Sequence, residues 1–190
     1  MHSLLVVFSH GKESGPWGCK ILKLAEVARA AGAQVLSVDC RTDAAGVAQD
    51  HHQAGEAERR VKQLLATPLP AHDQLVLVGS SMGGYVATAA TAKLATAGLF
   101  LLAPAFYLPG YTDQSPRSAA GCTSVVHGWA DDVVPQDNSV RFARFQQCDL
   151  HLLPGDHRLD SSMQVIKPLF RDFLQTVIDA GQDAAKPAPG

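Results

Sequence analysis

Short runs rich in valine and leucine alternate along this chain with longer segments of helical character, and that alternation narrows the possible folds more than any other feature. The runs fall at residues 4–8, 35–39, 75–78, 99–102, 124–127 and 150–153. They are continuously apolar rather than alternating polar and apolar, which is the pattern of parallel strands covered on both faces. Helix candidates lie at 18–31, 55–65, 84–96, 138–146 and 163–180; in the first, Ile21, Leu24, Ala25 and Ala28 share one stripe and read as core. The expected fold is a three-layer α/β/α sandwich with about six mainly parallel strands in the order 2-1-3-4-5-6. Its helices cross on both faces of the sheet.

At 190 residues the chain suffices for one domain, expected over 1–180, with 181–190 ("GQDAAKPAPG") read as a disordered tail. The net charge is −2 and acidic and basic residues are interspersed. This predicts neither a nucleic-acid nor a membrane partner and points to a small-molecule one, leaving monomer or dimer open. Cys19, Cys40, Cys122 and Cys148 have no C-x-x-C spacing and are expected to be reduced. There is no basic leader region and no apolar run of about 18 residues, so the expected location is cytoplasmic.

The third run leads into Gly79-Ser80-Ser81-Met82-Gly83-Gly84, and the following helix is filled with Ala, Thr and Gly. A phosphate-binding turn would need G-x-G-x-x-G or G-x-x-x-x-G-K-[ST], and neither register fits. G-x-S-x-G fits once, with Ser81 at its centre. A strained strand-to-helix turn would lift the Ser81 hydroxyl off the sheet, the flanking glycines would avoid collision, and the Met82 N–H would point to the same place at a helix N-terminus. A purely structural turn remains the alternative at this point.

A serine hydroxyl becomes a nucleophile when an imidazole takes its proton and a carboxylate holds that imidazole. Two downstream segments follow strands directly: "VVHGWADDVVP", residues 125–135, and "HLLPGDH", residues 151–157. In a parallel sheet both would emerge at the carboxyl edge that carries Ser81, so Asp131 and His157 can converge on it. The pieces "SHGKESGP", "VGSSMGGY", "HGWADDVVP" and "LPGDH", in this order, resemble the α/β-hydrolase superfamily, in particular its small single-domain bacterial esterase- or thioesterase-like members without a lid. The resemblance spans residues from about 4 to 175.

That resemblance implies Ser81 as nucleophile, His157 as general base and Asp131 as the orienting acid. Asp132 is the adjacent alternative, disfavoured by its spacing from His127-Gly128. It also implies that the residue after His10-Gly11, Lys12, supplies the second oxyanion-hole N–H beside Met82. The implied function is a serine hydrolase acting on esters or thioesters of small, soluble or short acyl groups through an acyl-enzyme. A non-catalytic ligand-binding relative, or an amide or C–C bond hydrolase with the same triad, is the alternative.

No metal or organic cofactor is expected. His51 and His52, with Asp50 and Glu56 nearby, lack structural-zinc spacing and read as a solvated helix approach. His127 and His10 read as hydrogen-bonded structural residues. His10, Phe106, Tyr107, Trp129 and Leu159 are candidate pocket residues, with ordinary packing as the equal alternative. The unstructured segment 104–121 is long enough to be functional and stands where relatives carry a lid.

Overall fold

The computed structural model describes residues 3–43 and 45–184. Six strands form one sheet: β1 (Leu4–Ser9), β2 (Gln34–Val38), β3 (Gln74–Ser80), β4 (Gly98–Leu102), β5 (Cys122–Gly128) and β6 (Asp149–Leu153). Every pairing is parallel and the order is β2-β1-β3-β4-β5-β6, as the alternation of runs implies. The helices are α1 (Cys19–Ala30), α2 (Glu56–Ala66), α3 (Met82–Ala90), α4 (Gln136–Gln146) and α5 (Met163–Ala184).

The continuous apolar runs divide between two cores because successive strand side chains face opposite sides of the sheet. Leu4, Val6 and Phe8 of β1 join Val76, Val78, Phe100 and Leu102 against Leu24 of α1 and Phe170 of α5. Leu5 and Val7 join Leu75, Leu77, Leu99 and Leu101 against Leu64 of α2, Val86 of α3 and Phe142 of α4. The expectation of full burial holds for β1, β4 and most of β3 and β5. The sheet-edge strands β2 and β6 are only part-covered, since an edge has one neighbour instead of two.

Most element boundaries differ from the sequence reading by one or two residues, and the larger differences fall in the third and last helices. The third helix begins at Met82 rather than 84, directly after the Ser81 turn, and ends at Ala90 rather than 96. There Thr88 and Thr91 turn their hydroxyls onto the carbonyls of Gly84 and Thr88. Such back-bonding offers the backbone an alternative to continued helix. The last helix continues through Gly181 to Ala184, into the segment read as a tail, while 185–190 lie outside the described residues.

Segment 104–121 has no regular structure but is tied down along its length. The Tyr85 hydroxyl donates to Glu58 Oε1 and accepts from the Asp113 N–H, while Thr112 N–H donates to the same Glu58 oxygen. Asn138 holds the Phe106 carbonyl, and the Thr91 hydroxyl accepts from the Ala119 N–H. Tyr111 packs edge-on against Tyr85 at 4.7 Å.

Candidate active site

Ser81 is the junction between β3 and α3, with φ 56° and ψ −122°, a region that residues other than glycine seldom occupy. Such a conformation costs on the order of 1–3 kcal/mol and persists where its surroundings dictate it. Here they do: the Ser81 N–H donates to the Leu102 carbonyl, and its carbonyl accepts from the N–H groups of Gly84 and Ala105. The end of β4 therefore clamps the turn from the side. The glycines flanking Ser81 are required by contact. A Cβ on Gly83 would collide with the Ser9 carbonyl, and one on Gly79 with the Gly83 carbonyl. Met82 is the first residue of α3, so its N–H has no helical carbonyl behind it and is free to face a ligand.

The β5 and β6 loops are laced together before either reaches the site. Trp129 N–H donates to the Leu153 carbonyl and Ala130 N–H to the Gly155 carbonyl, which brings Asp131 beside His157. Asp131 Oδ2 accepts from His157 Nδ1 at 2.7 Å. Its Oδ1 accepts from the N–H groups of Val133 and Val134 at 2.9 and 2.8 Å. Burial alone would raise the Asp131 pKa; the Val134 and Val133 N–H groups and His157 outweigh it and hold the carboxyl below its usual range. Asp132 is exposed and makes none of these bonds. With Nδ1–H donated to Asp131, the lone pair of His157 is at Nε2.

His127 is part of this assembly as a support. It is fully buried, and Nε2 lies 2.9 Å from Asp131 Oδ2 and 3.0 Å from the Val134 carbonyl. A carbonyl can only accept, so Nε2 carries the proton, and the Ser139 hydroxyl at 2.7 Å donates to Nδ1. Burial lowers the His127 pKa, consistent with a neutral ring. The carboxylate thus receives four N–H groups, two from backbone and two from imidazoles.

The loop after β1 closes the other side. Gly11 lies so near the turn that a Cβ there would stand 3.4 Å from Ser81 Cβ. His10 accepts the Cys40 N–H at Nε2 (3.0 Å) and therefore donates Nδ1–H to the Gly11 carbonyl (2.8 Å). Arg60 of α2 is wholly buried. Its guanidinium pairs with Glu56 at 2.6 Å and donates to the carbonyls of His10, Gly11 and Lys12 at 3.3, 3.2 and 3.4 Å. In a trans peptide the C=O and N–H point in opposite directions. Holding the Gly11 carbonyl on Arg60 and His10 therefore aims the Lys12 N–H the other way.

Ser81, Met82, Lys12 and His157 line one cavity of about 840 Å³. Its apolar wall includes Ala105, Leu108, Tyr111, Val133 and Val134. None of the five pocket candidates drawn from the sequence is among the lining residues. His10 supports the loop from beneath. Phe106 is buried against Phe142 at 4.4 Å, and Leu159 lies in the α1–α5 core. Tyr107 stacks under Arg141 at 3.9 Å, and Trp129 projects into solvent. Aromatic type and loop position suggested them, but in each case the side chain turns to the core or outward.

Two supporting residues escaped the sequence reading. Arg60 sits inside a polar helix and carries no motif. Lys20, in the first turn of α1, lines the cavity and donates to the His157 carbonyl at 3.3 Å; burial lowers its pKa.

A parallel open sheet with a serine at a strained strand-to-helix turn, and a histidine held by aspartate lining the same cavity, defines the α/β-hydrolase class of site. The family model described as the alpha/beta hydrolase family matches residues 6–188, and the chain belongs to that family. Among solved structures, an α/β-superfamily protein from Xanthomonas campestris pv. campestris is 30% identical, with a TM-score of 0.77 over 92% of this chain and 99% of that one. Est1E from Butyrivibrio proteoclasticus shares the fold at 17% identity, with a TM-score of 0.72 over 94% of this chain and 89% of that one. A serine hydrolase without lid, also from Xanthomonas campestris, matches at 21% identity and a TM-score of 0.68, over 100% of this chain and 85% of that one. No curated protein matches. Among the described residues, no helix is long and apolar enough to cross a membrane.

Proposed function

We propose that this protein is a serine hydrolase that cleaves carboxylic esters or thioesters of small or short-chain acyl groups. The observation that carries the reading is the Asp131–His157 bond at 2.7 Å, with His157 and Ser81 on one cavity. In the proposed reaction Ser81 Oγ attacks the acyl carbonyl as its proton passes to His157 Nε2, and Asp131 stabilises the imidazolium. The N–H groups of Lys12 and Met82 hold the oxyanion. The imidazolium returns the proton to the departing alcohol or thiol, water then attacks the acyl-enzyme with His157 again as base, and the acid leaves.

The cavity supports the choice of substrate class. One wall is apolar, suited to a short acyl chain, and the 104–121 segment where a lid would stand is fixed by the Tyr85, Glu58 and Asn138 bonds. With no lid among the described residues folding over it, the part of a long acyl chain that runs past the cavity mouth would stay in water and gain little burial.

A fluorophosphonate probe is expected to label Ser81, and p-nitrophenyl acetate or butyrate to be hydrolysed. Ser81→Ala and His157→Ala are each expected to lower kcat by on the order of 10⁴-fold or more. Activity surviving both substitutions would refute the reading. So would rates that climb steadily from two-carbon to sixteen-carbon esters, as far as the short-chain preference is concerned.

A further inference from the structure

Three side chains on the rim of the Ser81 cavity have no part in the proposed hydrolysis: Glu13, His51 and His52. Glu13 stands on the loop after β1, and the two histidines stand on the connection between β2 and α2. Glu13 Oε2 lies 3.5 Å from His51 Nε2, and Glu13 Oε1 lies 3.9 Å from His52 Nε2. The two imidazole centroids are 4.3 Å apart. Adjacent residues in a strand point to opposite faces, and in a helix they diverge. Here the turn at 51–52 sends both rings the same way, toward one carboxylate.

The residues that the sequence placed near these histidines are otherwise engaged. Asp50 Oδ1 accepts the His52 backbone N–H at 2.9 Å, and Glu56 is committed to Arg59 and Arg60. The third donor comes instead from Glu13, far upstream, so sequence spacing could not reveal the set. Both supporting segments are anchored, one by Asp50 and the other by the Arg60 bond to the Lys12 carbonyl.

From this arrangement we infer that Glu13, His51 and His52 form a binding site for a divalent first-row transition ion of the zinc class at the mouth of the cavity. One donor atom from each residue lies within 4.8 Å of the others. A tetrahedral ion with bonds of about 2.0–2.2 Å holds its donors about 3.4 Å apart, so small side-chain rotations complete the coordination. Two imidazole nitrogens and one carboxylate select zinc, copper or nickel over magnesium and calcium, which take oxygen donors. Three protein ligands leave a fourth position for water. The ion ties the loop carrying Lys12 to the 51–52 turn, and so stiffens the entrance to the cavity.

The test uses the full chain with any affinity tag removed. Calorimetric titration with zinc chloride is expected to show one saturable equivalent, and cobalt(II) to give a visible absorption spectrum of low-symmetry coordination. Glu13→Gln and the double variant His51→Ala/His52→Ala should weaken zinc binding by more than the about 10- to 100-fold that loss of a supporting contact brings. His72→Ala, at a half-buried histidine elsewhere, should bind as the parent does. These ligands are solvent-facing or half-buried, so the variants should fold, with circular dichroism as the check. Hydrogen exchange at 11–14 and 50–53 should slow on zinc addition in the parent and remain unchanged in the double variant. Ser81→Ala should bind zinc like the parent, which separates this inference from the hydrolytic one. Equal affinity of parent and ligand variants, no saturable zinc binding, or preferential calcium binding would overturn it.

Discussion

Arg60 offers the sharpest test of how the site is assembled, because it touches no substrate and yet fixes the loop on which the oxyanion reading depends. Arg60→Met removes three donated bonds to the carbonyls of His10, Gly11 and Lys12 and one bond to Glu56. The Gly11 carbonyl keeps only His10 and the long Ser14 contacts, so the Lys12 N–H is no longer held in direction. Losing one oxyanion donor costs about 10²–10³ in kcat, and a donor that is misaimed rather than deleted should cost near the lower end. Because the interaction is made in the transition state, kcat and kcat/KM should fall together while KM stays close to its original value. Stability should also drop. Removing one partner of a buried ion pair costs about 3–5 kcal/mol, and the lower figure applies here because Arg59 also holds Glu56. Arg60→Lys separates the two effects: it keeps a cation beside Glu56, but a single ammonium cannot span three successive carbonyls. Melting temperature should largely return with lysine while the kcat defect persists. The assay is p-nitrophenyl acetate hydrolysis, normalised to the fraction of protein that a fluorophosphonate labels. If Arg60→Lys or Arg60→Met retains kcat within a factor of about 3, the orienting role assigned to Arg60 is wrong.

Two further outcomes follow from the same geometry. His10 and His127 are both held neutral, their pKa values lowered first of all by burial. Above about pH 6.5 they contribute no pH dependence; as the pH falls below that value the unfolded chain takes up protons that the folded one does not, so stability declines. Calorimetric melts on the acid side of neutrality should show this slope, and His127→Gln should flatten it; a melting temperature independent of pH across that window would contradict the tautomers assigned here. Tyr85→Phe removes the hydroxyl shared by Glu58 and Asp113, at a cost of about 1 kcal/mol. Because Leu108 and Tyr111 on that segment line the cavity, KM for esters should rise more than kcat falls; steady-state kinetics showing an unchanged KM would mean the segment is held without Tyr85.

What the sequence made legible follows from where its information is local. Strand and helix identities depend on short-range periodicity, and the strand order follows from a short list of permitted crossovers, so both were readable. The turn at Ser81 was readable because steric need forces glycine at fixed offsets: the Ser9 and Gly83 carbonyls leave no space for a side chain. The meeting of Asp131 and His157 was readable because each follows a strand end at the same edge of the sheet, and the structure joins them by a hydrogen bond. The pocket wall was not readable. Phe106 and Leu159 are fully buried in opposite cores, a matter of rotamer and of backbone turns at Tyr107 and Leu159, whose φ values are 55° and 57°. No local pattern encodes which way such a residue turns.

Arg60 shows a deeper limit of the same kind. A helix is ordinarily assigned its inner face by the apolar stripe, yet the buried face of α2 holds Glu56 and Arg60 alongside Ala57 and Leu64. Periodicity alone would place such charges in water. They are inside because the loop after β1 presents three carbonyls to the buried end of Arg60, and buried carbonyls need donors. Arginine suits that need: one planar fork reaches several acceptors while its charge is balanced within the same helix, four residues before. The buried ion pair is thus explained by the backbone it satisfies, and that backbone is the loop that packs against Ser81 at Gly11. A charge pair whose worth for stability alone would be doubtful acquires a reason to exist from the geometry of the loop after β1.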